Sequence, residues 1–106
     1  MRMLKFANDK NFDETLKSSK PLVMIDFFAT WCGPCTKLHP VIEKLAEESN
    51  DYDIIKVDVD ESPATADKYN ISAVPTLFMI KDGKSVSRAE GYFDFETLKA
   101  KLDELL

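Results

Sequence analysis

The only two cysteines of this 106-residue chain stand in the run Trp31-Cys32-Gly33-Pro34-Cys35. With two residues between them, one helical turn brings the sulfurs within bonding distance, so the pair can be sealed or opened with little backbone movement. The run lies where an apolar stretch ends and a helical pattern begins. Cys32 is therefore expected at a helix N-terminus, where unpaired N–H groups and the positive end of the dipole favour thiolate over thiol. That makes it the attacking sulfur. Cys35, one turn further in, is expected to be more buried and to keep its proton until a mixed disulfide calls on it, as the resolving sulfur. Gly33 and Pro34 complete the ring, and Pro34 stiffens it at a first-turn position where a missing donor costs nothing.

Asp26 is the second chemical feature. It shares a strand face with the apolar Met24 and Phe28, so its carboxylate is expected to be desolvated, with a raised pKa suited to taking the Cys35 proton, directly or through water. Lys56 stands between Ile54 and Asp58 on one face of another strand; it could reach Asp26 as a charge partner, or be solvated. Val74-Pro75-Thr76 opens a strand, where a proline is tolerated and a cis peptide bond can be accommodated. Cys32, Cys35 and His39 are also spaced as three metal ligands. Zinc normally takes four, and the chain holds no further Cys or His, so such a site would need two chains. His39 reads instead as a helix-surface or partly buried histidine, and no metal is expected.

These residues need elements to hold them. Leu22 to Ala29 is an apolar run of the length and character of a buried central strand, interrupted only by Asp26. Leu38, Val41, Ile42, Leu45 and Ala46 mark one face of a helix from Cys32 to about Ser49, kinked by Pro40. Before them, Asn8 is a candidate cap for a helix presenting Phe12 and Leu16 and ending near Ser19. After them, Asp53 to Asp60 alternates as a strand, and Ser62-Pro63 opens a short helix through Tyr69, closed by Asn70. Asp82-Gly83 joins strands 76–81 and 85–90 as a hairpin. Asp94 caps a last helix with a stripe of Phe95, Leu98, Leu102 and Leu105. The order predicts an α/β fold, a mixed sheet between helices, parallel early and antiparallel late.

Length and composition set limits around this frame. The chain, 1–106, is expected to be one domain, and 44% hydrophobic with 31% charged residues is a globular balance. A net charge of -5 without a basic run argues against nucleic acid as a partner. The start, Met1 to Asp9, meets charge too soon for a secretory signal, and no later stretch could span a bilayer, so no membrane and a cytoplasmic location are expected.

Taken in order, Asp26-Phe27-Phe28-Ala29-Thr30-Trp31-Cys32-Gly33-Pro34-Cys35, Val74-Pro75-Thr76, Lys81-Asp82-Gly83 and Gly91 resemble the thioredoxin family over nearly the whole chain. The resemblance implies that family's fold, a central mixed sheet of about five strands with four helices on both faces. It implies reduction of protein disulfides through Cys32 as nucleophile and Cys35 as resolving thiol, with Asp26 as proton-transfer carboxylate, Lys56 as its neighbour and Pro75 as a cis-proline beside the pair. Trp31, Val74, Pro75 and Gly91 would form the docking surface, with the Val74 backbone pairing to an extended substrate segment. No cofactor would be bound. Reducing equivalents would come from NADPH through a thioredoxin reductase, the other partners being disulfide-containing clients, and the chain would be a monomer. Thr36, Glu90 and Tyr92 depart from the usual pattern and bear on partner choice; Phe28 replaces a frequent tryptophan. Two other classes remain: a binding module using the Trp31 and Pro75 surface, and a metal- or cluster-bridged dimer.

Overall fold

The computed structural model describes residues 4–48 and 50–106. In chain order the elements are β1 (Leu4–Ala7), α1 (Phe12–Lys17), β2 (Leu22–Phe28), α2 (Gly33–Glu48), β3 (Asp53–Asp58), α3 (Pro63–Lys68), β4 (Thr76–Lys81), β5 (Lys84–Glu90) and α4 (Phe95–Leu105). The expected end of the long helix at Ser49 lies outside the described residues.

The five strands form one sheet in the order β1-β3-β2-β4-β5. β3 pairs in parallel with β1 and β2, whereas β4 runs antiparallel to β2 and β5. The mixed sheet expected from the alternation of elements is thus the one formed. β2 lies at the centre, which is why its residues are buried on both faces from Leu22 to Phe27. Alternation then divides the core. Leu22, Met24, Ile54, Leu77 and Met79 pack with Leu38, Ile42 and Leu45 of α2 and Leu98 and Leu102 of α4. Val23, Ile25, Phe27, Ile55, Val57 and Phe78 pack on the opposite face with Phe12 and Leu16 of α1 and with Tyr69, just after α3.

Several local expectations are refined. Asn8 does not cap α1. Its side chain accepts from the Lys10 and Asn11 amides, 2.9 and 3.2 Å, forming a turn before a helix that starts at Phe12. Ser62 precedes α3 as expected but makes no side-chain cap bond. The Asp9 carboxylate supplies that cap from a distant loop, accepting from the Ala64 and Thr65 amides and from the Thr65 hydroxyl. Asp94 does cap α4, accepting from the Thr97 amide at 2.9 Å. The hairpin turns on Asp82 and Gly83, both with positive φ (52° and 83°), the backbone pair that a tight two-residue turn requires. α2 continues through Pro40.

Candidate active site

β2 delivers the chain to the site. Beyond Phe28, a short turn places Cys32 immediately before α2. Its carbonyl accepts the Thr36 amide at 3.1 Å, and its Sγ accepts the Cys35 amide at 3.1 Å. The sulfur therefore occupies the place of an N-capping oxygen, bonded to a first-turn donor at the positive end of a 16-residue helix. Negative charge on Cys32 Sγ is stabilised there. Cys32 and Cys35 are joined as a disulfide, with Cα atoms 5.2 Å apart.

The expected difference in burial between the cysteines is slight: Cys32 is 5% exposed and Cys35 4%. What separates them is position, Cys32 at the cap and Cys35 inside the first turn. A Cβ at Gly33 would meet nothing within 4 Å, so no close contact demands glycine there. Thr36 turns its hydroxyl back to the Cys32 carbonyl at 3.1 Å, and its side chain is thereby engaged within the helix.

The rim comes from distant segments. The Val74–Pro75 peptide bond is cis, and the Val74 carbonyl oxygen lies 3.5 Å from Cys32 Sγ. Gly91, at φ 102°, donates its amide to the Pro75 carbonyl at 2.9 Å, tying the end of β5 to this loop. Trp31 is 72% exposed, an unusual state for so large an apolar side chain. Its indole N–H donates to Asp60 Oδ2 at 2.7 Å, a partner that sequence reasoning did not single out. The residues departing from the family pattern are themselves partnered: Lys37 Nζ lies 4.8 Å from the centre of the Tyr92 ring, and Glu90 pairs with Arg88 at 3.5 Å.

Beneath the site, Asp26 and Lys56 are register partners on β2 and β3 and form an ion pair at 3.6 Å. This decides the alternative left open for Lys56, which is buried. Asp26 Oδ1 has no hydrogen-bond partner among the described residues. Burial pushes the Asp26 carboxyl up to about 6, outweighing the opposing pull of the Lys56 ammonium. Burial also pushes the Lys56 ammonium below its ordinary value, with Asp26 and Glu43 opposing. A carboxyl poised near neutrality can both take and release a proton.

His39 turns toward β3. Its Nδ1 lies 2.6 Å from Lys56 Nζ, a contact that sequence reasoning missed. The available signal was its place one turn beyond Cys35. Among the described residues, no group of three or more His, Cys, Asp or Glu side chains is arranged to hold a metal ion. Nor is any helix there long and apolar enough to cross a membrane.

A disulfide-forming Cys-x-x-Cys capping a helix, fed by the central strand of a mixed α/β sheet, defines a thiol–disulfide oxidoreductase. Comparison with known proteins agrees. The thioredoxin family model matches residues 3–104, and the chain belongs to the thioredoxin family. It is 47% identical over 96 residues to the thioredoxin of Chlamydia trachomatis serovar D, covering 91% of this chain and 92% of that one. It is 46% identical over 101 residues to that of Staphylococcus haemolyticus, covering 94% and 95%. Among solved structures, thioredoxin from Schistosoma mansoni superposes with a TM-score of 0.88 at 36% identity, covering all of both chains. A mutant thioredoxin from Halobacterium salinarum gives 0.88 at 36% identity, over 96% of this chain and 89% of that one. Members of the family are protein-disulfide oxidoreductases, and the chemistry of this chain is dithiol–disulfide exchange at Cys32 and Cys35.

Proposed function

We propose that the chain, as one domain over residues 1–106, works in the reducing direction. The Cys32 thiolate attacks a client disulfide, a mixed disulfide forms, and Cys35 then attacks Cys32 to release the reduced client. Asp26 takes the Cys35 proton during this second step. Trp31, Val74, Pro75 and Gly91 receive the client, whose extended backbone pairs with that of Val74. Gly33, Pro34 and Lys56 complete the surroundings of the pair. The oxidised protein is re-reduced by a thioredoxin reductase drawing on NADPH, so the chain acts as a cytoplasmic, monomeric carrier in an electron-transport sequence.

The observation that carries the reading is the bond from the Cys35 amide to Cys32 Sγ at 3.1 Å. It gives the outer sulfur the stabilised charge of an attacking thiolate and leaves Cys35 to resolve. The Cys35→Ser variant, incubated with disulfide-containing proteins, should accumulate mixed disulfides through Cys32, whereas Cys32→Ser should capture none and lose turnover. If Cys32→Ser captures clients while Cys35→Ser does not, the assignment is reversed. If neither substitution reduces turnover of a protein disulfide, the reductase reading fails.

A further inference from the structure

The buried ion pair continues outward. Lys56 Nζ lies against Asp26 Oδ2 at 3.6 Å, the Phe28 ring with its centre 4.4 Å away, and His39 Nδ1 at 2.6 Å. His39 in turn sets Nε2 3.6 Å from Glu43 Oε2. Side-chain exposure rises along this series, from 2% at Asp26 and 3% at Lys56 to 39% at His39 and 40% at Glu43. The four groups form a line from the floor of the site to solvent.

The ring of His39 also borders a pocket of about 310 Å³ whose wall includes Cys35, Thr36, Phe28 and Lys56. Asp26 is not part of that wall. A carboxyl that must shed a proton after each turnover therefore meets Lys56 first, and Lys56 meets His39. In the tautomer in which Nδ1 accepts from the ammonium, the neutral imidazole carries its hydrogen on Nε2, the nitrogen that faces Glu43.

We infer that His39 is a positioning and proton-relay residue, the group through which Asp26 and Lys56 exchange protons with solvent in the resolving step. The inference rests on the reading of Asp26 as the base for Cys35. As Cys35 attacks, the Cys32–Cys35 bond forms, the bond from Cys32 to the client breaks, and the client sulfur leaves with the electron pair. The Cys35 proton passes to the Asp26 carboxylate. Lys56 then gives a proton to His39 Nδ1 and takes the one held by Asp26, while His39 releases its Nε2 proton toward Glu43 and water. One proton has moved from Cys35 to solvent; Asp26 is again a carboxylate and Lys56 an ammonium. Exchange with solvent at the exposed ring restores the starting tautomer.

Among the described residues, the charged groups placed against the ring include Lys56 of β3, with Asp26 of β2 behind it, and Glu43 of α2, while Cys35 of α2 lines the same pocket. A second proton on the imidazole would set an N–H against the Lys56 ammonium and close the relay. The wild type should therefore show an acid limb in the resolving step that a non-titrating residue lacks.

The test is the lifetime of the Cys32 mixed disulfide formed when reduced protein meets insulin, read by acid quenching and mass spectrometry across pH. His39→Ala and His39→Gln should both lengthen that lifetime about tenfold near neutral pH, less than the loss of a direct acid or base because the open pocket leaves water as a parallel route. Imidazole added to His39→Ala should shorten it again in proportion to concentration, with no effect on the wild type. Glutamine can accept the Lys56 bond but cannot pass a proton, so a His39→Gln lifetime equal to wild type overturns the relay, as does a wild-type lifetime in His39→Ala or an absence of imidazole rescue. Asp26→Asn, measured beside them, separates the failures. If Asp26→Asn is slow while the His39 variants are not, only the relay falls; if Asp26→Asn is also unchanged, the reading of Asp26 falls with it.

Discussion

The two faces of the sheet are built from alternate residues of the same strands, yet they bury different things. Toward α1 and α3, β2 contributes Val23, Ile25 and Phe27, and Tyr69 joins Phe12, Phe27 and Phe78 in a cluster with ring centres 5.0 to 5.8 Å apart. Toward α2 and α4, β2 contributes Leu22 and Met24 and then Asp26, with Lys56 beside it on β3. The first face is cohesive throughout. The second is cohesive only at the end remote from the cysteines, and near them it holds a charge pair whose desolvation is incompletely offset. One face supplies the stability that lets the other retain a buried carboxyl with a raised pKa.

The largest effect that should follow is at Phe27, which is fully buried and touches two aromatic neighbours. Phe27→Ala should lower the unfolding free energy by about 3–5 kcal/mol, the range for deleting a buried ring and leaving a cavity. The loss should be independent of pH between 5 and 8, and the single-turnover rate of the folded fraction should be little changed. Urea titration at two pH values checks it. A loss under about 1 kcal/mol would mean the aromatic face is not the cohesive one.

Asp26→Asn should do the reverse. The folded carboxyl titrates near 6, above its ordinary 3.8, so between those values the folded protein holds more protons than the unfolded chain. Wild-type stability therefore falls as pH rises through that window and stays lower above it. An asparagine has no such penalty. The stability of Asp26→Asn relative to wild type should improve by on the order of 3 kcal/mol from pH 3.5 to pH 8, while disulfide exchange slows. Denaturation midpoints across pH test this, and a difference that does not vary with pH would remove Asp26 from the set of buried, perturbed groups.

How far these contrasts could be read in the sequence depends on whether their cause is local. Asp26 was legible because apolar neighbours on both sides force its burial, and Cys32 with Cys35 because spacing and a strand-to-helix junction are properties of one short run. Lys56 was ambiguous, since an alternating strand does not say whether its polar residue faces a helix or water. The contact of His39 with Lys56 was not legible: it depends on how α2 lies across β3, two elements whose contacting residues are 17 apart. The rim of the site is legible as residue types, but Lys37 over Tyr92 and Trp31 bonded to Asp60 depend on segments brought together by the fold.

The cap of α3 gives the smallest and most discriminating effect, because a Ser-Pro pair looks the same whether or not its hydroxyl caps. The Ser62 hydroxyl is buried with no hydrogen-bond partner among the described residues, and the Asp9 carboxylate takes the amides of Ala64 and Thr65 instead. Ser62→Ala should therefore be neutral or slightly stabilising, since it removes an unsatisfied hydroxyl. Asp9→Ala should lower the Tm by a small amount, well below the Phe27→Ala loss. Bonds from Thr65 hold the Asp9 carboxyl below its ordinary value, so its contribution is present above pH 3.8 and is lost as pH falls through the lower folded value. The Tm difference between Asp9→Ala and wild type should accordingly close in acid. A larger loss from Ser62→Ala than from Asp9→Ala would return the cap to Ser62, and the helix bordering the cohesive face would then be held by its own sequence rather than by a loop across the fold.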